Sequence, residues 1–260
     1  MKLCTLASSS SGNCALVSHG RTHILIDAGI SLRRITKSLK ALEVSPKELT
    51  AVLVTHEHTD HISGLRMLTK HHFVPIFAPE KVAQALLRAM PEAEPLIRRI
   101  LPGAGFELGE MGVTSFRTPH DTPESVGYRL TAAGKTLAFA TDCGCLTREL
   151  VEGTAGADIA VIEANHDVEM LINGSYPEYL KRRILSQRGH LSNDDCGRLA
   201  VILGQGGTRR LVLAHLSREN NTPQAALRTV SDALRQAGAQ PGDVEVGLAP
   251  PDDPGALYIL

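Results

Sequence analysis

Aromatic side chains are scarce in this chain: five Phe, four Tyr and no Trp among 260 residues. The core must therefore be mostly aliphatic, and base stacking is not expected to dominate any nucleic-acid contact. Neither sign of charge is in excess, with 27 Lys and Arg against 28 Asp and Glu. The formal net charge of −1 argues against a strongly basic nucleic-acid module, though not against a local basic groove. The five cysteines, Cys4, Cys14, Cys143, Cys145 and Cys196, are odd in number and contain no CxxC pair. A secreted disulfide framework is not expected, and a reducing cytoplasm is the default setting. The start, MKLCTLASSSSGNC, lacks the apolar stretch of a signal peptide. No window approaches about 18 uninterrupted apolar residues, so no membrane span is expected. What is present is ordinary globular material, 43% hydrophobic and 21% charged, together with eleven histidines. The length admits one large domain or two small ones.

Short apolar runs recur and end abruptly in polar residues. They are Thr22–Asp27, Ala51–His56, Val113–His120, Thr136–Asp142, Asp158–Asp167 and Arg210–His215. Rich in Val, Ile, Leu and Thr, they read as buried strands. Two earlier runs suggest a hairpin around Ser8–Asn13. Helices are expected over Asp60–His72, Pro79–Met90, Tyr179–Ser186, Asn193–Leu203 and Pro223–Ala237. Ser192 and Thr222 would cap the last two, and Gly238 would stop the last. Strands followed by strands mixed with helices suggest sheets covered by helices.

The polar residues carry the functional signal. His56, His120, Asp142 and His215 each stand at or just past the end of an apolar strand, where loops can converge on one pocket. VTHEHTDHISG adds His58, Asp60 and His61. Imidazole and carboxylate are ligands for zinc, iron or manganese. In an extended segment, residues two apart share a side, so His56 and His58 can hold one ion. Asp60 and His61, past the turn, can hold a second. His120, Asp142 and His215 can complete both sets, with Asp142 as a bridge.

With HxHxDH, the early Asp27, and the later His120, Asp142 and His215, the chain resembles the metallo-β-lactamase fold superfamily over nearly its whole length. The strings ASSSSGNC, IEANHD, GHLSND and LAHLSRENNTP are similar to its bacterial YycJ/WalJ-type branch. That resemblance implies a four-layer αββα sandwich, an α/β fold, in a single domain spanning 1–260. Only 73 positions separate Asp142 from His215, which leaves no room for a large inserted domain. It implies metal one on His56, His58, His120 and Asp142, and metal two on Asp60, His61, Asp142 and His215. Two divalent ions are expected, zinc first, with manganese or iron as alternatives. The implied activity is a 5′-to-3′ DNA exonuclease in DNA repair, with a metal-bridging hydroxide as nucleophile. Two ions about 3.5–4 Å apart suit such an in-line displacement.

Residues beyond the ligands must define the substrate. Asp60 can orient the water. His190, in preference to His166, is a candidate to contact the scissile phosphate or protonate the leaving oxygen, with a histidine that only hydrogen-bonds behind the ligands as the equally weighted role. Asn165, Ser192 and Asn193 are candidate donors to phosphate or sugar, with helix capping as the competing role for the last two. The hairpin loop Ser8–Asn13 could form a nest of backbone N–H groups for phosphate. Arg182 and Arg183, with Lys181 and Arg188, could guide a DNA strand, or an RNA one, by weak, salt-sensitive, sequence-independent contacts, although a solvated helix face is the commoner meaning of such a run. The competing reading is a small-molecule hydrolase on the same scaffold: a cyclic phosphodiesterase, then a lactonase or thioesterase. The tail ALYIL reads as a last strand or a dimer contact. The oligomeric state stays open between monomer and homodimer.

Overall fold

A computed structural model describes residues 1–260. The first sheet begins with β1 (Lys2–Ser9), β2 (Gly12–His19) and β3 (Thr22–Ile26), an antiparallel meander. It continues in parallel through β4 (Ala51–Leu53), β5 (Ile76–Pro79) and β6 (Ile97–Ile100). The second sheet opens with β7 (Gly105–Leu108), β8 (Met111–Arg117), β9 (Val126–Ala132) and β10 (Lys135–Ala140), all antiparallel. It then runs parallel through β11 (Ile159–Glu163), β12 (Arg210–Ala214) and β13 (Glu245–Leu248). The expected tail strand, β14 (Tyr258–Ile259), returns to the first sheet and pairs with β1.

Strand periodicity sets the layers. Leu3, Val17, Ile24, Ile26 and Leu53 of the first sheet point inward and meet Val113, Tyr128, Leu130, Val161 and Val212 of the second. Their neighbours Cys4, Leu16, Leu25 and Val52 point outward. Three helices cover that face: α1 (Leu32–Ala41), then α3 (Leu65–His72) after the short α2 (Thr59–Ile62), then α4 (Glu80–Ala89). On the second sheet, Ala138, Ala160, Ile162, Leu211 and Leu213 point outward, mostly small or branched aliphatic side chains. They pack under α5 (Arg148–Thr154), α8 (Asn193–Gln205) and α9 (Pro223–Gln236). Between α5 and α8, the chain makes α6 (Val168–Asn173) and α7 (Glu178–Ile184). The result is the expected αββα sandwich, with an aliphatic core.

The expected helix over Asp60–His72 is interrupted. Gly64 N donates to Ala28 O, and Ala28 N donates to His61 O, so the loop after β3 takes backbone groups that a continuous helix would use. A Cβ on Gly64 would lie 1.9 Å from Ile30 O, which only glycine avoids. The sequence reading also omitted α1, although Ser31 caps it and Ile35 and Leu39 are buried at helical spacing.

Candidate metal centre

The site lies at the carboxyl ends of the parallel strands, where the crevice of an open α/β sheet collects functional loops. Asp27 follows β3, His56 follows β4, Asp142 follows β10, Glu163 ends β11 and His215 follows β12. Asp27, Asp142 and His215 have φ of 59°, 59° and 57°. This left-handed backbone is uncommon outside glycine, and its recurrence at three strand ends turns three polar side chains into one crevice.

All seven residues expected as ligands come together. His56, His58 and His120 form one group of potential ligands, with His58 Nδ1 3.2 Å from His120 Nε2. Asp60, His61 and His215 form another, with His215 Nε2 3.4 Å from Asp60 Oδ2. Asp142 lies between them. Its Oδ1 is 3.6 Å from His120 Nε2, and its Oδ2 is 3.2 Å from His61 Nε2.

Hydrogen bonds behind the cluster set which nitrogen faces inward. His61 Nδ1 donates to Asp27 Oδ2 at 2.7 Å, and His120 Nδ1 donates to Gly189 O at 3.1 Å. His215 Nδ1 donates to Glu163 Oε1 at 2.9 Å. Each of these turns Nε2 toward the other residues of the cluster. Thr55 Oγ1 binds Asp27 and lies 3.0 Å from His56 Nδ1. His56 Nε2 and Asp142 Oδ2 are buried without a hydrogen-bond partner. Buried polar atoms seldom remain so, and these two face the same crevice.

The local field is strongly anionic. Burial alone would lower the pKa of His215, but Asp142, Asp60 and Glu163 outweigh it and raise it to about 10. The same contest, won by Asp142 and Asp27, holds His61 well above its usual range. Burial and the His61 charge hold His56 well below. A cluster that draws protons onto buried imidazoles attracts a divalent cation by the same field. The His/Asp groups are thus able to bind metal ions.

Glu163 was missed by sequence reasoning. Fully buried, it accepts from His190 Nδ1 and His215 Nδ1 at Oε1, and from the Cys143 and Leu191 amides at Oε2. The available signal was its position: like Asp142, it is an acid ending an apolar strand. Asn13, placed only within a loop, is buried with Nδ2 3.2 Å from Asp60 Oδ2. Its other bonds close the β1–β2 hairpin through Ser9, while Ser8 Oγ accepts from His215 N.

The remaining candidates divide. His190 joins Asp142, Glu163 and His215 in a further group of potential ligands, its ring 5.1 Å from that of His120 and 5.3 Å from that of His215. His166 belongs to none of the ligand groups, and neither ring nitrogen has a partner. Three substrate candidates are engaged inside the protein. Asn165 Nδ2 donates to His215 O, Asn193 pairs with Asn221, and Ser192 caps α8 by accepting from Asp195 N. Arg183 is ion-paired to Asp121, beside His120. Arg188 donates to the carbonyls of His120 and Thr122. Arg182 is exposed. Cys143 is buried, donating to Thr141 O, as a packed thiol should be. No helix is long and apolar enough to cross a membrane.

A family model described as a β-lactamase superfamily domain matches residues 22–216. The chain is 37% identical over 251 residues to the exodeoxyribonuclease WalJ of Streptococcus pneumoniae, covering 95% of this chain and 91% of that one. It is 36% identical over 241 residues to the exodeoxyribonuclease YycJ of Bacillus anthracis, covering 92% and 90%. Among solved structures, the metallo-β-lactamase fold protein YhfI of Bacillus subtilis matches with a TM-score of 0.75 at 17% identity, covering 100% of both chains. Zn(2+)-bound PqqB of Methylobacterium extorquens matches with a TM-score of 0.73 at 19% identity, again over 100% of both. These two likenesses concern the fold. With the domain match and the two relatives similar over nearly their whole length, the chain belongs to the metallo-β-lactamase fold superfamily, in its WalJ/YycJ branch.

Proposed function

We propose that this protein is a dinuclear metal-dependent DNA exonuclease that degrades a strand from its 5′ end, acting in DNA repair in the cytoplasm as one domain. The observation that carries the reading is the convergence of His56, His58, His120, Asp60, His61 and His215 in overlapping groups of potential ligands, with Asp142 between His120 and His61. The exodeoxyribonuclease relatives support the substrate. His56, His58 and His120 would hold one ion and Asp60, His61 and His215 the other, with Asp142 shared. Zinc is the first choice for this nitrogen and oxygen set, with manganese or iron also suited. Ions bound there would supply Lewis acidity, acidifying a water and offsetting charge on the phosphoryl oxygens.

The protein's own groups do the rest. Asp60 orients the attacking water, and Asn13 Nδ2 steadies its carboxylate. His190 is the general acid. Its Nδ1 is committed to Glu163, so Nε2 carries the proton for the leaving oxygen. Burial would make that ring give up its proton, but the Glu163 charge outweighs burial and raises its pKa. His166 lacks such a carboxylate bond, so the role falls to His190. The site is open: the side chains of His58, Asp60 and His190 are 32%, 23% and 19% exposed. Such a rim suits a strand end better than a small enclosed substrate.

The test uses metal-loaded protein with single-stranded and duplex DNA labelled at either end, beside a cyclic nucleotide and a lactone. Mononucleotide release from the 5′ end, abolished in Asp60→Ala, is expected. Turnover of the small substrates alone would overturn the reading. An unchanged single-turnover rate in His190→Gln would remove the acid role.

A further inference from the structure

One excursion of the chain forms part of the site's rim. Asn165 N donates to Leu191 O and Asn193 N to His166 O, which clamps its two ends together. Between them the chain runs out and back as α6 and α7. This segment carries three exposed apolar side chains: Ile172, Tyr179 and Leu185. Tyr179 is 74% exposed. The other exposed aromatic, Phe73, caps α3 on the outer face of the first sheet. A tyrosine this exposed adds little to folded stability, and its ring is free to meet a ligand.

The placement is specific. Arg183 of α7 reaches Asp121, whose carboxylate is 3.3 Å from His120 Nε2 and 3.8 Å from His58 Nε2. That contact fixes which face of α7 borders the metal centre. Tyr179 stands four residues before Arg183, so it shares that face, about 6 Å further along the axis. Arg182, three residues after Tyr179, is exposed beside it. The other cations of the segment are committed within the protein: Lys181 to Ile172 O, Arg183 to Asp121, and Arg188 to two carbonyls.

Resting on the nuclease reading, we infer that Tyr179 is a stacking platform for a base near the strand end and that Arg182 binds the adjoining phosphate. Every base has a π face, so this contact holds a strand without reading its sequence. The scarcity of aromatics does not count against it, because one ring on the helix face bordering the metal centre is enough to seat one base.

The test compares metal-loaded wild type, Tyr179→Ala and Tyr179→Phe on two 5′-phosphorylated single strands. One carries normal bases; the other is abasic at its first three positions. On the normal strand Tyr179→Ala should raise KM roughly tenfold, with kcat little changed, and Tyr179→Phe should match wild type. On the abasic strand all three proteins should share one KM. Matching thermal melts check that the fold is intact. An unaltered KM in Tyr179→Ala, or an equal rise on both strands, overturns the inference while leaving the nuclease reading standing. If wild type degrades neither strand, the nuclease reading fails and this one falls with it.

Discussion

Glu163 accepts four hydrogen bonds and so decides the proton positions on two imidazoles. Burial would raise its pKa, but His190 and His215 together hold it at about 2, so it stays ionised. Glu163→Gln would set an amide N–H₂ against N–H donors on one side. Either the Cys143 and Leu191 amides lose their acceptor, or His215 moves its proton to Nε2, the atom facing Asp60. A chelator-competition titration should show metal affinity reduced by about 10- to 100-fold. Unchanged affinity would mean that Glu163 does not set the His215 tautomer. His166 gives a pH prediction. Burial lowers its pKa first; Glu163, Asp195 and Asp167 pull it up, His190 pushes it down, and it settles at about 4. The folded protein then binds fewer protons than the unfolded chain between about pH 6.5 and pH 4. Its contribution is present above that window and is lost as pH falls through it. In urea melts at pH 7 and pH 4.5, His166→Asn should lose about 2–3 kcal/mol less than wild type. The seven residues of the candidate metal cluster were legible at this scale because His and Asp at or near strand ends are chemically conspicuous. Glu163 shares that strand-end position, but its role was not legible, because the two imidazoles it binds lie 27 and 52 positions away.

At the scale of elements, the ligand loop is held by backbone approach. Gly29 N donates to Asn13 O, and a Cβ on Gly29 would stand 1.7 Å from Asp60 O. The β1–β2 hairpin, the loop after β3 and α2 therefore close on one another, and Asp60 and His61 are fixed by that closure. Gly29→Ala cannot be relieved by a rotamer change, since the clash is with backbone. A loss of about 3 kcal/mol or more in urea unfolding is expected, with weakened metal binding. A variant of wild-type stability and affinity would show that the loop has slack. Strands were readable because buried Val, Ile and Leu runs have a fixed length, and α9 because its cap, Thr222, accepts from Ala225 N as its sequence suggests. The break at Gly64 was not readable, because it depends on the Ala28 carbonyl, thirty-six positions away.

Across the whole molecule, the first sheet delivers His56, His58, Asp60 and His61, and the second delivers His120, Asp142 and His215. Ions held between them would tie the two halves at one end, while the shared aliphatic core ties them along their length. Because the unfolded chain presents no such cluster, binding should appear directly as folding stability. At ion concentrations about 1,000 times Kd, each ion would add about 4 kcal/mol. For a chain of this size, that corresponds to a rise in Tm of roughly 8–16 °C. Calorimetry before and after chelation should therefore show a fall of that order for each ion, reversed by adding zinc or manganese. The transition should stay single, since the inter-sheet core couples both halves with or without metal. Asp142→Ala removes the residue proposed to be shared by both ions, so chelation should shift its Tm much less. A wild-type Tm indifferent to chelator would remove the ions from the fold's energetics, and two separated transitions would mean that the halves fold independently.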